Sequence, residues 1–143
     1  MKFSGEELSG LKIFEGLSED QLEWFCEHGE KIELAPDERM FERGEPADFM
    51  FVVVAGTIDG YEEVAGQWLV VATTGKGQAT GMLPFSRMSH YPRYTVAVEP
   101  SRVLRIGKRD FQEMVTVGWD VVQRLVQEMS DRVRGDVRLE QQQ

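Results

Sequence analysis

Between residues 31 and 106 the chain breaks at short, regular intervals into apolar stretches of strand length, parted by glycine, proline and acidic turns. That punctuation restricts the fold more than any other feature of the sequence. Ile32 and Leu34 alternate with charges, Pro36-Asp37-Glu38-Arg39 turns the chain, and Met40-Phe41 starts a second strand. After the turn Glu42-Arg43-Gly44-Glu45-Pro46-Ala47-Asp48, the run Phe49-Met50-Phe51-Val52-Val53-Val54-Ala55 is aromatic and β-branched enough for a buried strand. Residues 57–64 and 67–73 read as a hairpin around Ala65-Gly66, and 94–98 and 102–106 as strands parted by Glu99-Pro100-Ser101. Such spacing calls for an antiparallel roll or barrel rather than a parallel sheet.

The two ends are helical. Ser4 with Glu7, and Ser18 with Gln21, are capping-box patterns, each followed by apolar residues at helical spacing: Leu8, Leu11 and Phe14, then Leu22, Phe25 and Cys26, with Gly29 as a stop. Residues 110–114 form a short helix, Gly118 breaks it, and a longer helix starts at Trp119. Trp119, Val122, Leu125, Val126, Met129, Val133 and Val137 fall three or four apart on it. This stripe either packs on the domain's own sheet or forms the seam of a homodimer. The tail Arg138-Leu139-Glu140-Gln141-Gln142-Gln143 carries no stop signal, so the chain is expected to be the front part of something longer.

At 143 residues the chain fits one domain. A net charge of -9 with scattered Lys and Arg excludes a nucleic-acid-binding face, which needs clustered cations. The single cysteine, Cys26, suits a reducing compartment, and neither a membrane span nor a signal peptide is legible, so a cytoplasmic location is expected. Cys26, His28 and His90 are too few for a metal site, and Cys26 lacks an oriented base, so no metal and no catalytic residue is expected.

The stretch from Gly77 to Thr95 holds two glycines, two prolines, Arg87 and Arg93, and several hydroxyls. Close backbone approach at a glycine, a helical turn's free N–H groups and a guanidinium fork are the parts of an anion cradle. They are equally the parts of a polar loop. Tyr91 and Tyr94 could stack on a base or sit in the core.

Leu11-Lys12-Ile13-Phe14-Glu15-Gly16-Leu17-Ser18, the glycine-framed pair from Gly44 to Gly56, Gly77 and Gly81, and Glu99-Pro100-Ser101-Arg102-Val103-Leu104-Arg105-Ile106 together resemble the cyclic-nucleotide-binding domain family, which includes the catabolite activator protein, over residues 11 to 116. The resemblance implies a mainly β fold with flanking helices, the double-stranded β-helix (a jelly-roll-like β-roll), occupying residues 1–117. Residues 118–143 would then form an amphipathic helix leading to an output domain.

It also locates a ligand site at Gly81, Met82, Leu83, Pro84, Arg87, Arg93, Tyr94 and Thr95, for a cyclic nucleotide or another anionic ligand, with no other cofactor. Two positions depart from the family. Met82 stands where nucleotide-binding members carry the glutamate that holds the ribose hydroxyl, and a thioether cannot replace it. Arg93 is followed by Tyr94-Thr95, and the approach to it is about one residue short, which leaves Arg87 as a rival for the phosphate.

The string Gly81-Met82-Leu83-Pro84-Phe85-Ser86-Arg87-Met88 is similar to a modified cassette at the N-terminus of bacterial sensor histidine kinases, and Arg138-Leu139-Glu140-Gln141-Gln142 resembles their junction with the kinase. The expected function is a non-enzymatic sensory or regulatory domain whose long helix, through Trp119, Val122, Leu125, Val126, Met129 and Val133, dimerises and passes a signal to a kinase. Two other readings stay open: the sensor half of a transcription regulator that binds cyclic AMP, and a ligand-free dimerisation module whose cassette fills its own pocket.

Overall fold

The computed structural model describes residues 1–142, with side chains through residue 131. Helix α1 (Gly5–Ser9), a 3-10 turn (Lys12–Phe14) and α2 (Glu19–His28) precede eight strands. Both capping boxes form: Ser4 Oγ accepts the N–H of Glu7 and Ser18 Oγ that of Gln21, while each third-position side chain reaches back to the cap's own N–H.

The strands are β1 (Glu30–Leu34), β2 (Arg39–Phe41), β3 (Phe49–Ala55), β4 (Ile58–Val64), β5 (Gln67–Thr74), β6 (Ala79–Gly81), β7 (Tyr94–Ala97) and β8 (Ser101–Gly107). They form two four-stranded antiparallel sheets, ordered β1-β8-β3-β6 and β2-β7-β4-β5. Alternation of chain segments between two facing sheets is the jelly-roll arrangement. A 3-10 turn, α3 (Phe111–Val117) and α4 (Trp119–Gln142) complete the chain.

Strand β3 explains why there are two cores. Successive side chains point to opposite faces of a strand. Met50, Val52 and Val54 therefore join Leu8, Phe14, Phe25, Leu104, Ile106, Met114 and Leu125 in a core between the first sheet and the helices. Phe51 and Val53 join Leu34, Phe41, Ile58, Tyr91, Ala97 and Val103 in a second core between the sheets. Burial on both faces accounts for the unbroken apolar run at 49–55.

The helical stripe divides. Val122 and Leu125, with Val121, are buried in the chain's own first core. Trp119 and Val126 are on the surface, and Met129 is half-buried against the roll. The side chains of Val133 and Val137, and of the tail from Arg138, lie outside the described residues. Among the described residues no helix is long and apolar enough to cross a membrane.

Candidate functional site

The loop between β6 and β7 occupies the mouth of the roll. The loop's first residues extend the first sheet through β6, a strand not anticipated from the sequence, which pairs Met50 with Gly81 and Val52 with Ala79. No helical turn follows, so no helix N-terminus is available to an anion there. Instead Leu83-Pro84-Phe85-Ser86 makes a tight turn, closed by the Ser86 N–H on the Leu83 carbonyl at 3.1 Å. Phe85 sits at φ 68° with 73% of its surface exposed.

Gly81 has φ +87°, and a Cβ there would lie 2.8 Å from the Phe49 carbonyl and 2.9 Å from the Phe51 ring. The glycine is thus required by the sheet beneath it, and the next N–H, of Met82, bonds the same Phe49 carbonyl at 2.9 Å. Met82 and Met88 pack against the core between the sheets, and Leu83 against the helical core. Pro84 is buried and Arg87 is exposed, with no hydrogen bond or ion pair to the described residues.

Arg93 enters the mouth over Gly60, where an added Cβ would stand 3.0 Å from Arg93 Cδ, and its Nη2 lies 3.3 Å from Glu62 Oε1. Thr95 is buried, and its hydroxyl accepts the Phe41 N–H at 3.2 Å. Tyr94 points to the other face of β7: it stacks on Tyr61 at 5.1 Å and 9°, and the Arg39 guanidinium covers it at 3.8 Å.

Tyr91 closes the mouth. Its ring stacks on Phe41 at 3.9 Å and 21°, while its hydroxyl donates to the Phe49 carbonyl at 3.0 Å and accepts the Phe49 N–H at 3.1 Å. Burial pushes its phenol pKa up. What remains is a cavity of about 110 Å³ lined by Phe41, Gly81, Leu83, Arg93 and, from α4, Met129. The structure therefore gathers Gly81, Leu83 and Arg93 around one cavity, with Met129 from the helix stripe. It leaves Arg87 outside, and the Tyr94 ring on the opposite face.

Tyr91 lines this cavity and Glu62 pairs with the Arg93 that enters it, and the sequence offered only half of the signal. An aromatic flanking a strand already favours the core, but nothing local pairs Glu62 with Arg93. A larger cavity, about 650 Å³, lies between the first 3-10 turn, the β5–β6 turn and α4. Its charged residues are of both signs, and Arg124 is already bonded to the Ile13 and Glu15 carbonyls at 2.9 and 2.7 Å, so its lining selects no ligand charge. Among the described residues no three metal-ligating side chains come together. Cys26 is half-buried, and burial raises its thiol pKa, away from a reactive thiolate.

Fold and cassette define a β-roll regulatory domain. The chain belongs to the cyclic nucleotide-binding domain family, whose sequence model matches residues 31–116. It is similar to a cyclic nucleotide-binding domain from Methylobacillus flagellatus (TM-score 0.75, 18% identity, 91% of this chain and 76% of that one). It is also similar to the Thermus thermophilus catabolite activator protein (TM-score 0.72, 19% identity, 90% and 61%). A third similar structure is the regulatory subunit of a cAMP-independent protein kinase A from Trypanosoma brucei (TM-score 0.71, 20% identity, 85% and 45%). Among curated proteins, neuropathy target esterase sws of Drosophila melanogaster is 28% identical over 89% of this chain, and the chain spans about 10% of that relative's length.

Proposed function

We propose that this is a cytoplasmic regulatory domain of a longer signalling protein, and that its cassette holds its own side chains where other family members hold a nucleotide. The observation that carries this reading is the 110 Å³ cavity, against about 300–1,000 Å³ for typical small-molecule sites. Arg93 already faces the Glu62 carboxylate, so any anionic ligand must compete with an internal one. In this reading the cassette docks α4 through Met129, and Arg124 pins the same helix to the N-terminal 3-10 turn. The domain does no chemistry; α4 is its output arm, with Trp119 and Val126 as the apolar residues left to meet a partner.

The output is proposed to be catalytic and to lie elsewhere in the parent protein. A histidine kinase is supported by the resemblance of the cassette and tail to that class. A hydrolase is the second reading, supported by the relatives named as esterases. Codons following residue 143 distinguish them: a phospho-acceptor histidine helix, a serine-hydrolase sequence or, for a transcription regulator, a helix-turn-helix.

Calorimetry with cyclic AMP, cyclic GMP and cyclic dinucleotides tests the cassette. Binding no tighter than about 1 mM is expected. Micromolar binding of cyclic AMP that Arg93→Ala abolishes would overturn the reading.

A further inference from the structure

The seven methionines divide by their surroundings. Met50 and Met114 are wholly buried, and Met1 is exposed at the start of the chain. The other four, Met40, Met82, Met88 and Met129, are half-buried. Met40 and Met82 pack against the core between the sheets. Met88, from the β6–β7 loop, and Met129, from α4, line the 110 Å³ cassette cavity together. The meeting of cassette and output helix thus uses two thioethers that keep part of their surface in solvent. Leucine would fill nearly the same volume there; methionine adds a sulfur that an oxidant can reach.

Oxidation turns a flexible apolar side chain into a polar, chiral one and disrupts contacts built from methionine. In this cavity a sulfoxide oxygen would need a donor. The Tyr91 hydroxyl already serves Phe49, and Phe41 and Leu83 offer none. Arg93 supplies a charged donor in the lining, but Glu62 holds it at 3.3 Å. A sulfoxide there either stays unpaired or draws Arg93 from Glu62, and either outcome disturbs the seat of α4.

We propose that Met88 and Met129 are a modification site, a redox-sensitive seat for α4 that a peroxide converts to sulfoxides, releasing the helix from the cassette. The inference rests on the reading that the cassette holds its own side chains, and it names how that state is undone. In each step the thioether sulfur attacks one peroxide oxygen, so that an S–O bond forms as the O–O bond breaks. The proton of the transferred oxygen leaves with the departing hydroxide as water. Sulfur loses two electrons and the peroxide gains them. A methionine sulfoxide reductase reverses the step with two thiols, which become a disulfide while the oxygen leaves as water.

Hydrogen peroxide on the folded full chain, followed by peptide mass mapping and amide exchange, tests it. Met88 and Met129 should each gain one oxygen while Met50 and Met114 gain none, and residues 119–131 should lose amide protection that β3 and β8 keep. The double variant Met88→Leu/Met129→Leu keeps the apolar volume and retains Met40 and Met82, so its α4 should stay protected under the same treatment. Unmodified Met88 and Met129, equal oxidation of Met50 and Met114, sulfoxides formed with α4 still protected, or α4 released in the leucine variant would overturn it. Proton contacts between the Tyr91 and Phe41 rings are read before peroxide is added. Where they are present, these failures count against the redox seat alone; where they are absent, the self-filled cassette and the redox seat fall together.

Discussion

Arg93 Nη2 stands 3.3 Å from Glu62 Oε1, so the guanidinium that enters the cassette cavity meets a carboxylate of its own chain. Both side chains keep about a third of their exposure, which limits such a pair to about 1 kcal/mol or less. Arg93→Ala should therefore shift urea unfolding by no more than that. Glu62→Gln, which keeps the shape and removes the charge, should enlarge the response of the Arg93 Nε–H resonance to inorganic phosphate. An unchanged response would show that Glu62 does not hold the arginine.

Tyr91 holds the mouth shut by stacking and by two hydrogen bonds to the backbone of one residue, Phe49. Tyr91→Phe leaves the Phe49 N–H without that acceptor and should cost about 1–2 kcal/mol in denaturant unfolding. Tyr91→Ala also opens a cavity beside Phe41 and should cost about 3–5 kcal/mol. A loss below about 0.5 kcal/mol in Tyr91→Ala would contradict the packing described.

Most strands were legible from composition and turn residues, as at Phe49–Ala55 and the Ala65-Gly66 hairpin, while the roll itself followed from the family resemblance. Both capping boxes were legible for the same local reason. The fate of Val122 and Leu125 was not, since a helical stripe looks the same whether it faces its own sheet or a second copy; Val121, outside the strict stripe, is as buried as either. At the site, Gly81 was identified as a cassette glycine from the family resemblance, but its reason lies in Phe49 and Phe51, thirty residues earlier. The Arg93–Glu62 pair depends on the adjacency of β4 and β7, which no local pattern encodes.

Gly81→Ala tests that reason directly. A left-handed backbone and a Cβ 2.8 Å from the Phe49 carbonyl should together cost about 2–3 kcal/mol and lower the thermal midpoint. Gly10→Ala, where nothing lies within 4 Å, is the control and should be nearly neutral.

Arg124 joins α4 to the N-terminal turn through the Ile13 and Glu15 carbonyls. Arg124→Ala should speed amide exchange in residues 119–131 and in Lys12–Phe14 while leaving β3 and β8 protected. Equal acceleration everywhere would point to global destabilisation and against a local latch.

Stability should fall at both extremes of pH, for opposite reasons. The Arg105 hydrogen bond holds the Glu30 carboxyl below its usual range, so its contribution is present above the unfolded-state pKa and is lost as pH falls through the lower folded one. Burial raises the Tyr91 phenol, so its contribution is present below the unfolded-state pKa and is lost as pH rises through the higher folded one. Tyr91→Phe should flatten the alkaline limb of a stability profile and leave the acid limb unchanged.

The central claim, that the cassette is filled from within, is tested most directly by proton–proton contacts in solution. Nuclear Overhauser effects between the Tyr91 and Phe41 rings, 3.9 Å apart, and from Met88 to the same core should persist unchanged when cyclic AMP is added in large excess. Their loss, with new contacts from Arg93 or Gly81 to the nucleotide, would contradict the account.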